Sequence, residues 1–392
     1  MRTFYQLLKR EFRLFWGNSV LRLLFIGAPV LYGILFGFVY EKGKVTDLNI
    51  IVVDSDNTPL SNRLIDMLED NEVLHVTAVK PDRKNLKQQL IALDGQAVVV
   101  IPDRFEADIL QNRSPEIDVN INLANILTAN YASRSIQLVL GSLNAGLEME
   151  ALRKRGTPDY AVSSKYESFS TNYVRLYNRS SNYMSFLWPG MLATIVQQVL
   201  LLALALSFAQ EYERGTFQTE LLKATQSPLK TILIKCMPYW LMMIPIGLFF
   251  LGLQHYFRVP LAPPQVAPAL LLSALFVASA AFMGILVSIL IPNQLKATEV
   301  LMVVATPSFV LSGFTWPLSQ MPRWIAALAD VIPLTHFLQG YRVLLAQEGS
   351  FTDIGRPLVL LAILTAIFGL LSYLALAVKI RRTVKRTASQ PG

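Results

Sequence analysis

Gln210-Glu211-Tyr212-Glu213-Arg214-Gly215-Thr216-Phe217-Gln218-Thr219-Glu220-Leu221-Leu222 is a polar stretch set between two long apolar segments, 184–209 before it and 236–257 after it. Glu211 and Glu213 fall just past the end of the first segment, where charged heads stay hydrated. Gly215 permits a sharp turn. Thr216 stands where a side chain can cap a following helix, and Glu220 lies close to the reciprocal position of a capping box. On that helix, over about 211–226, Phe217, Leu221 and Leu222 share an apolar face, and Pro228 ends it. A short exposed helix with an apolar face suits a protein partner or the lipid surface, and the residues alone favour neither.

Working outward, the composition explains the apolar flanks. Hydrophobic residues make up 53% of the chain and charged residues 16%, and the mean hydropathy is +0.42. That balance belongs to an integral membrane protein. The segment 23–40 carries no charge and reaches about 27 Å as a helix, close to the hydrocarbon thickness. Further spans are expected over 184–209, 236–257, 266–290, 297–313 and 358–378. The fifth is short, with Glu299 near its start and Pro307 inside. Six spans put both termini on one side.

Charge says which side. The stretch 41–183 holds sixteen Lys/Arg and nineteen Asp/Glu, a net of −3, whereas the rest holds nineteen Lys/Arg against eight Asp/Glu. Those basic residues gather before the first span (Arg2, Lys9, Arg10, Arg13, Arg22), after the last (Lys379, Arg381, Arg382, Lys385, Arg386) and around the polar stretch (Arg214, Lys223, Lys230, Lys235), with Lys296 in the next loop on that side. The positive-inside rule puts both termini and the 210–235 loop in the cytoplasm. A pI near 9.5 then reflects orientation, and no nucleic-acid partner is expected. The one cysteine, Cys236, excludes an intrachain disulfide. The first apolar segment is too long for a signal-peptide core and lacks a cleavage site, so it reads as a signal anchor.

Residues 1–22 read as an amphipathic helix in the membrane interface, with Phe4, Leu7, Leu8, Phe12, Phe15 and Trp16 as its apolar stripe. Region 41–183 alternates strand-like runs (48–53, 73–79, 97–101, 117–121) with helical ones (60–68, 83–93, 105–111, 126–155), which indicates an α/β domain. A polar connector follows over 157–183. Past the fifth span, Gly313-Phe314-Thr315-Trp316-Pro317, Met321-Pro322-Arg323-Trp324 and Pro333-Leu334-Thr335-His336-Phe337 are partitioned by proline into short helices. Such a segment lies on, or dips into, one leaflet and needs protein or water to cover its backbone. A basic tail closes the chain over 379–392.

Reactive chemistry is hard to assemble. His75, His255 and His336 are isolated, with no second His or Cys at metal spacing, so no metal site is expected. There is no Gly-x-Ser-x-Gly elbow and no phosphate-cradling Gly-rich Lys-Ser/Thr loop. Asp54 and Asp56 read as a turn after a strand. No span carries a central charge, which weighs against an ion-driven carrier. Gln197 and Gln198 are the most polar pair within a span, equally suited to lining a path and to bonding helices together. With Phe309, Phe314 and Trp316 they form the candidate path residues.

Glu211-Tyr212-Glu213-Arg214-Gly215-Thr216, the following Leu221-Leu222, Pro228 and Lys235 resemble the first cytoplasmic loop of type 2 ABC exporter permeases. Leu311-Ser312-Gly313-Phe314 with Pro317, Met321-Pro322, and Pro333-Leu334-Thr335-His336-Phe337 ending at Arg342 is similar to that family's motif around the last two spans. Val53-Asp54 and Val100-Ile101-Pro102 extend the likeness to region 41–183, as in the subgroup with a large domain between the first two spans. The resemblance implies a bacterial inner-membrane permease of six spans with an inserted extracytoplasmic α/β domain. It implies that Glu211, Glu213, Arg214, Gly215, Thr216, Phe217, Leu221 and Leu222 form a coupling helix seated on a separate ABC ATPase. ATP and Mg then belong to that partner, and this chain holds no cofactor and is not itself an enzyme. It also implies re-entrant helices over 313–346 and a second permease half, identical or related, and it leaves room for a periplasmic adaptor. The cargo would be drug-like or lipid-like. A membrane sensor with an outer ligand-binding domain is the alternative, though the 210–235 loop and the tail are too short for an output domain.

Overall fold

The computed structural model describes residues 2–166, 172, 174, 176–178, 181–259 and 261–388 of the 392-residue chain. Part of the 157–183 connector and the last four residues of the basic tail lie outside the described residues. The chain forms two units, residues 1–43 with 175–392 and residues 44–174.

In the first unit, six helices among the described residues are long and apolar enough to cross a membrane: Ser19–Val39, Tyr183–Glu213, Pro228–Tyr256, Pro263–Leu290, Gln294–Leu311 and Gly355–Lys385. Runs this apolar become helices because a hydrocarbon layer offers no water to the backbone, and a helix bonds its own N–H and C=O groups. Polar residues set the starts. The Asn182 side chain accepts from the Met184 and Ser185 amides, Ser227 caps the third span and Asn293 the fifth. Pro189, Pro238, Pro245 and Pro268 lie inside helices, which neighbouring spans tolerate by re-satisfying the freed groups. The fifth span is interrupted around Pro307, with helix over Gln294–Ala305 and again over Ser308–Leu311.

The second span is the hub. In its most apolar window 72% of residues are buried, against 22–44% for the other five. Gly284 of the fourth span lets that helix close on it, since a Cβ there would stand 3.0 Å from the Leu204 Cβ. Ser288 accepts from the Phe208 and Ala209 amides at 2.8 and 3.0 Å, joining the same two spans. The fourth and sixth spans are stitched by hydroxyls, Thr365 donating to the Leu275 carbonyl and Ser372 to that of Phe282.

The N-terminal helix, Arg2–Gly17, does not spread its whole apolar stripe on lipid. Leu7 and Phe15 are buried, and Phe15 meets Tyr239 of the third span edge-to-face at 5.9 Å, while Trp16 stays exposed. After the fifth span, Gly313 turns the chain at φ +76°. Short helices follow at Leu318–Gln320, Arg323–Asp330 and Pro333–Ala346. The last packs inward, with Phe337 stacked on Phe276 of the fourth span at 4.4 Å.

The second unit carries a four-stranded sheet in the order β2-β1-β3-β4, with β1 at Leu48–Asp54, β2 at Leu74–Lys80, β3 at Ala97–Ile101 and β4 at Asp118–Ile121. β1 runs parallel to β2 and β3, and β4 runs antiparallel to β3. The central strands are apolar on both faces because both are covered. Ile50, Val52 and Val99 pack with Leu64, Leu68 and Ile136, and Ile51, Val53, Val98 and Val100 pack with Leu86 and Leu90. β2, at the edge, alternates instead. Asp54 ends β1 as a turn residue, accepting from the Asp56 and Asn57 amides and from the Ser61 hydroxyl.

Candidate functional site

The second span ends at Glu213, so Glu211 and Glu213 belong to its last turn. Glu211 is 2% exposed, which corrects the expectation of a hydrated head. Its Oε1 accepts from Arg10 Nη1 at 2.7 Å and Lys235 Nζ at 2.6 Å. Its Oε2 accepts from Arg10 Nη2 at 3.0 Å and from the Thr216 hydroxyl. Lys235, 1% exposed, also donates to Glu11 Oε2 at 2.9 Å. Arg10 bridges onward to Glu11 at 2.9 Å and, through Nε, to Glu220 at 2.8 Å. One ionic joint therefore ties the N-terminal helix, the end of the second span, the start of the third span and the loop between them.

Burial alone would loosen the Arg10 proton. The Glu211 hydrogen bond and charge, with Glu11 and Glu220, outweigh that and raise its pKa above the ordinary arginine value. Charges this deep persist only when each is paired and hydrogen-bonded. The third carboxylate, Glu220, is half exposed, so water reaches the joint from the loop side.

The loop departs from the expected helix over 211–226. Gly215 turns the chain at φ +72°. A π-helical turn follows over Phe217–Leu221, and Leu222–Ala224 completes the segment. Thr216 makes no cap, because its hydroxyl is turned back to Glu211, and Glu220 is drawn to Arg10. The apolar residues are not offered outward. Phe217 and Leu221 are 3% and 1% exposed, and Phe217 meets Tyr212 at 4.8 Å. Leu222 is partly buried against the same core. The outward face is polar: Arg214, Gln218, Thr219 and Lys223 are exposed. Exposed Glu213 reaches sideways to the fifth span, accepting from the Gln294 amide at 2.8 Å and from the Gln294 side chain. Nearby, Lys379 of the sixth span lies 3.6 Å over the Tyr212 ring and donates to the Ile289 carbonyl.

The candidate path residues separate. Gln197 is fully buried and acts as a joint. Its Nε2 donates to the Ser308 hydroxyl at 3.0 Å, and its Oε1 accepts from the Leu334 amide at 2.9 Å. Gln198 is half-buried beside it. Phe309 and Phe314 meet at 5.7 Å, and Phe314 packs against Gly190, where a Cβ would come within 2.6 Å of the ring. Arg342 lies 4.4 Å over Phe314 and donates to its carbonyl at 2.7 Å. Trp316 is exposed.

Sequence reasoning gave Arg10 and Glu11 no part in the site and placed Lys235 only in the loop motif, with no role of its own. A signal existed for Glu11, the one acidic residue in the basic stretch before the first span.

Comparison with known proteins agrees with this architecture. Residues 19–374 match the sequence profile described as ABC-2 family transporter protein. The chain is similar to two Escherichia coli K12 proteins named probable multidrug ABC transporter permeases. It is 28% identical to YbhS over 66% of this chain and 67% of the relative, and 22% identical to YbhR over 94% and 96%. It is also 24% identical to the inner membrane transport permease YhhJ of the same organism, over 86% of this chain and 88% of the relative. With six candidate spans, a profile match over residues 19–374 and relatives named as permeases, this multi-pass membrane chain belongs to the ABC-2 family of transporter proteins.

Proposed function

We propose that this chain is the permease subunit of an ATP-driven exporter, pushed at its 213–224 loop by a separate ATPase subunit that holds ATP and Mg. The ionic joint carries the reading. A loop whose base is bonded to three helices through Glu211, Arg10, Lys235 and Glu220 moves those helices when it is pushed. A loop free of them would only flex. The basic residues around this loop and at both chain ends favour the cytoplasmic side for it. The sheet unit then lies outside the cytoplasm, as in the subgroup with a large domain between the first two spans, and could seat a periplasmic adaptor. A second copy or a related chain supplies the other half of the pump. Relatives named as probable multidrug permeases support the drug-like cargo over the lipid-like one. No observation favours the sensor reading.

The partner-facing surface in this reading is the polar one. Lys223→Glu with Gln218→Glu changes only exposed side chains. It should leave the thermal unfolding of the purified chain as in wild type, abolish co-purification of the ATPase and stop ATP-driven efflux from vesicles. Wild-type efflux in that variant would reject the loop as the docking element. Thr219→Cys adds a thiol on the exposed face, while the native Cys236 is buried. It should react with a membrane-impermeant maleimide in inverted vesicles and not in intact cells; the reverse would overturn the orientation.

A further inference from the structure

A polar cavity of about 270 Å3 lies between the N-terminal helix and the loop after the second span. The guanidiniums of Arg10, Arg13 and Arg214 and the carboxylates of Glu211 and Glu220 line it. Arg10 is engaged in the joint, bonded to Glu211 and Glu220. Arg13 and Arg214 are exposed, and among the described residues neither pairs with a carboxylate. Arg214 is nevertheless held in place. With the Gln210 amide oxygen turned toward it, its two terminal nitrogens donate to that oxygen at 2.7 and 2.9 Å. A neutral amide positions the guanidinium and leaves its charge unbalanced.

Three guanidiniums against two carboxylates leave the lining with one positive charge in excess. The rest of the joint does not alter that count, because Lys235 and Glu11 cancel. One monoanion balances the wall. The volume falls below the range of about 300–1,000 Å3 that takes a drug-sized molecule, and suits the end of one side chain. The planar forks of two arginines match the two oxygens of a carboxylate. The cavity does not face lipid. At about 100° per residue, the lining residues Arg10, Arg13 and Leu14 centre about 120° round the helix from Tyr5 and Trp16. Those two are 68% and 51% exposed and mark the apolar side. A phospholipid would have to carry its acyl chains round the helix to set its phosphate here.

We propose that this cavity receives one carboxylate side chain of the ATPase subunit, held between Arg13 and Arg214. The proposal rests on the permease reading and deepens it. The loop supplies Arg214 and the N-terminal helix supplies Arg13, so the partner grips two elements at once. Arg10 of that helix already bonds Glu220 of that loop, so the two elements are tied together beside the cavity. A charge contact at an exposed rim acts chiefly on the rate of association and its salt dependence, and those are the quantities to measure.

The experiment measures association of the purified ATPase subunit with the full chain in lipid nanodiscs. Arg13→Glu with Arg214→Glu should slow association at least tenfold, and the salt dependence of the rate, steep in the wild type, should flatten. Arg13→Gln with Arg214→Gln removes the charges without reversing them and should slow association several-fold at an unchanged thermal unfolding midpoint. Carbodiimide joins an amine to a carboxylate it touches. It should link the chain carrying Arg13→Lys or Arg214→Lys to one aspartate or glutamate of the ATPase, and changing that residue to arginine should restore association with Arg13→Glu, Arg214→Glu. Wild-type association in both charge variants, or carbodiimide links confined to Glu211 and Glu220 of this chain, would overturn the cavity as a docking point. If Lys223→Glu with Gln218→Glu still abolishes ATPase binding in that case, the permease reading stands without the proposal; if neither pair affects binding, both fall. Association that requires phosphatidylglycerol in the nanodisc, and loses that requirement in Arg13→Gln with Arg214→Gln, would mean that a lipid phosphate fills the cavity, and the proposal would fall.

Discussion

Glu211 and Gln197 lie on one helix, about 21 Å apart along its axis, and both are buried. They solve the same problem differently. Gln197, deep in the second span, joins helices with a neutral amide that donates once and accepts once. Glu211, at the span end, joins them with a full charge held by a guanidinium, an ammonium and a hydroxyl. A charge at the depth of Gln197 would be far more costly, whereas near the end of a span polar loops and water supply partners. The contrast separates a neutral joint deep in the bundle from a charged one at the span end, whose partners come from the N-terminal helix, the third span and the loop.

The comparison can be broken at several points. Glu211→Ala should have the largest effect, because Lys235 and Arg10 are left beside an emptied carboxylate site. Removing one partner of a buried ion pair costs about 3–5 kcal/mol, to be read as the thermal unfolding midpoint of the purified chain. Lys235→Met should cost distinctly less, since Glu211 keeps its two bonds to Arg10. A larger loss than in Glu211→Ala would show that the lysine, not the carboxylate, anchors the joint. Gln197→Leu orphans the buried Leu334 amide and should cost about 1–3 kcal/mol, or nearer 0.6 kcal/mol if the lipid-embedded chain finds another partner. Glu213→Ala should have the smallest effect, about 0.5–1 kcal/mol, because the residue is exposed and water can replace its two bonds from Gln294. An apolar replacement of the buried joint (Arg10→Met, Glu11→Leu, Glu211→Leu, Lys235→Met), with half-exposed Glu220 left in place, sharpens the contrast. It should recover most of the stability lost in Glu211→Ala and yet fail to restore ATP-driven efflux, if the ions serve to link loop and helices.

Much of the fold was legible. The apolar runs at 184–209 and 266–290 announce helices because hydropathy accumulates along contiguous residues. The strand run 97–101 is recognisable because a strand covered on both faces is apolar throughout. The loop was misread in its details. Thr216, Glu220 and the pair Phe217 and Leu221 have the spacing of a capped amphipathic helix, but Thr216 and Glu220 have stronger partners elsewhere. A side-chain cap contributes about 1 kcal/mol, less than bonds to charged groups at about 1.5–3 kcal/mol, so the cap yields. The apolar pair turns to its own core because Tyr212 and Phe208 stand beside it.

The sequence by itself determined that this is a membrane protein of six spans, with a strand-and-helix region between the first two, and that it belongs to the ABC-2 family. Hydropathy, periodicity and motif spacing are properties of neighbouring residues and need no fold to be read. Only the tertiary structure decided that Arg10 meets Glu211 across 201 residues of chain and that Gln197 is a joint. Which partner a buried charge or amide finds depends on helices brought together from distant parts of the chain, and no local pattern records it.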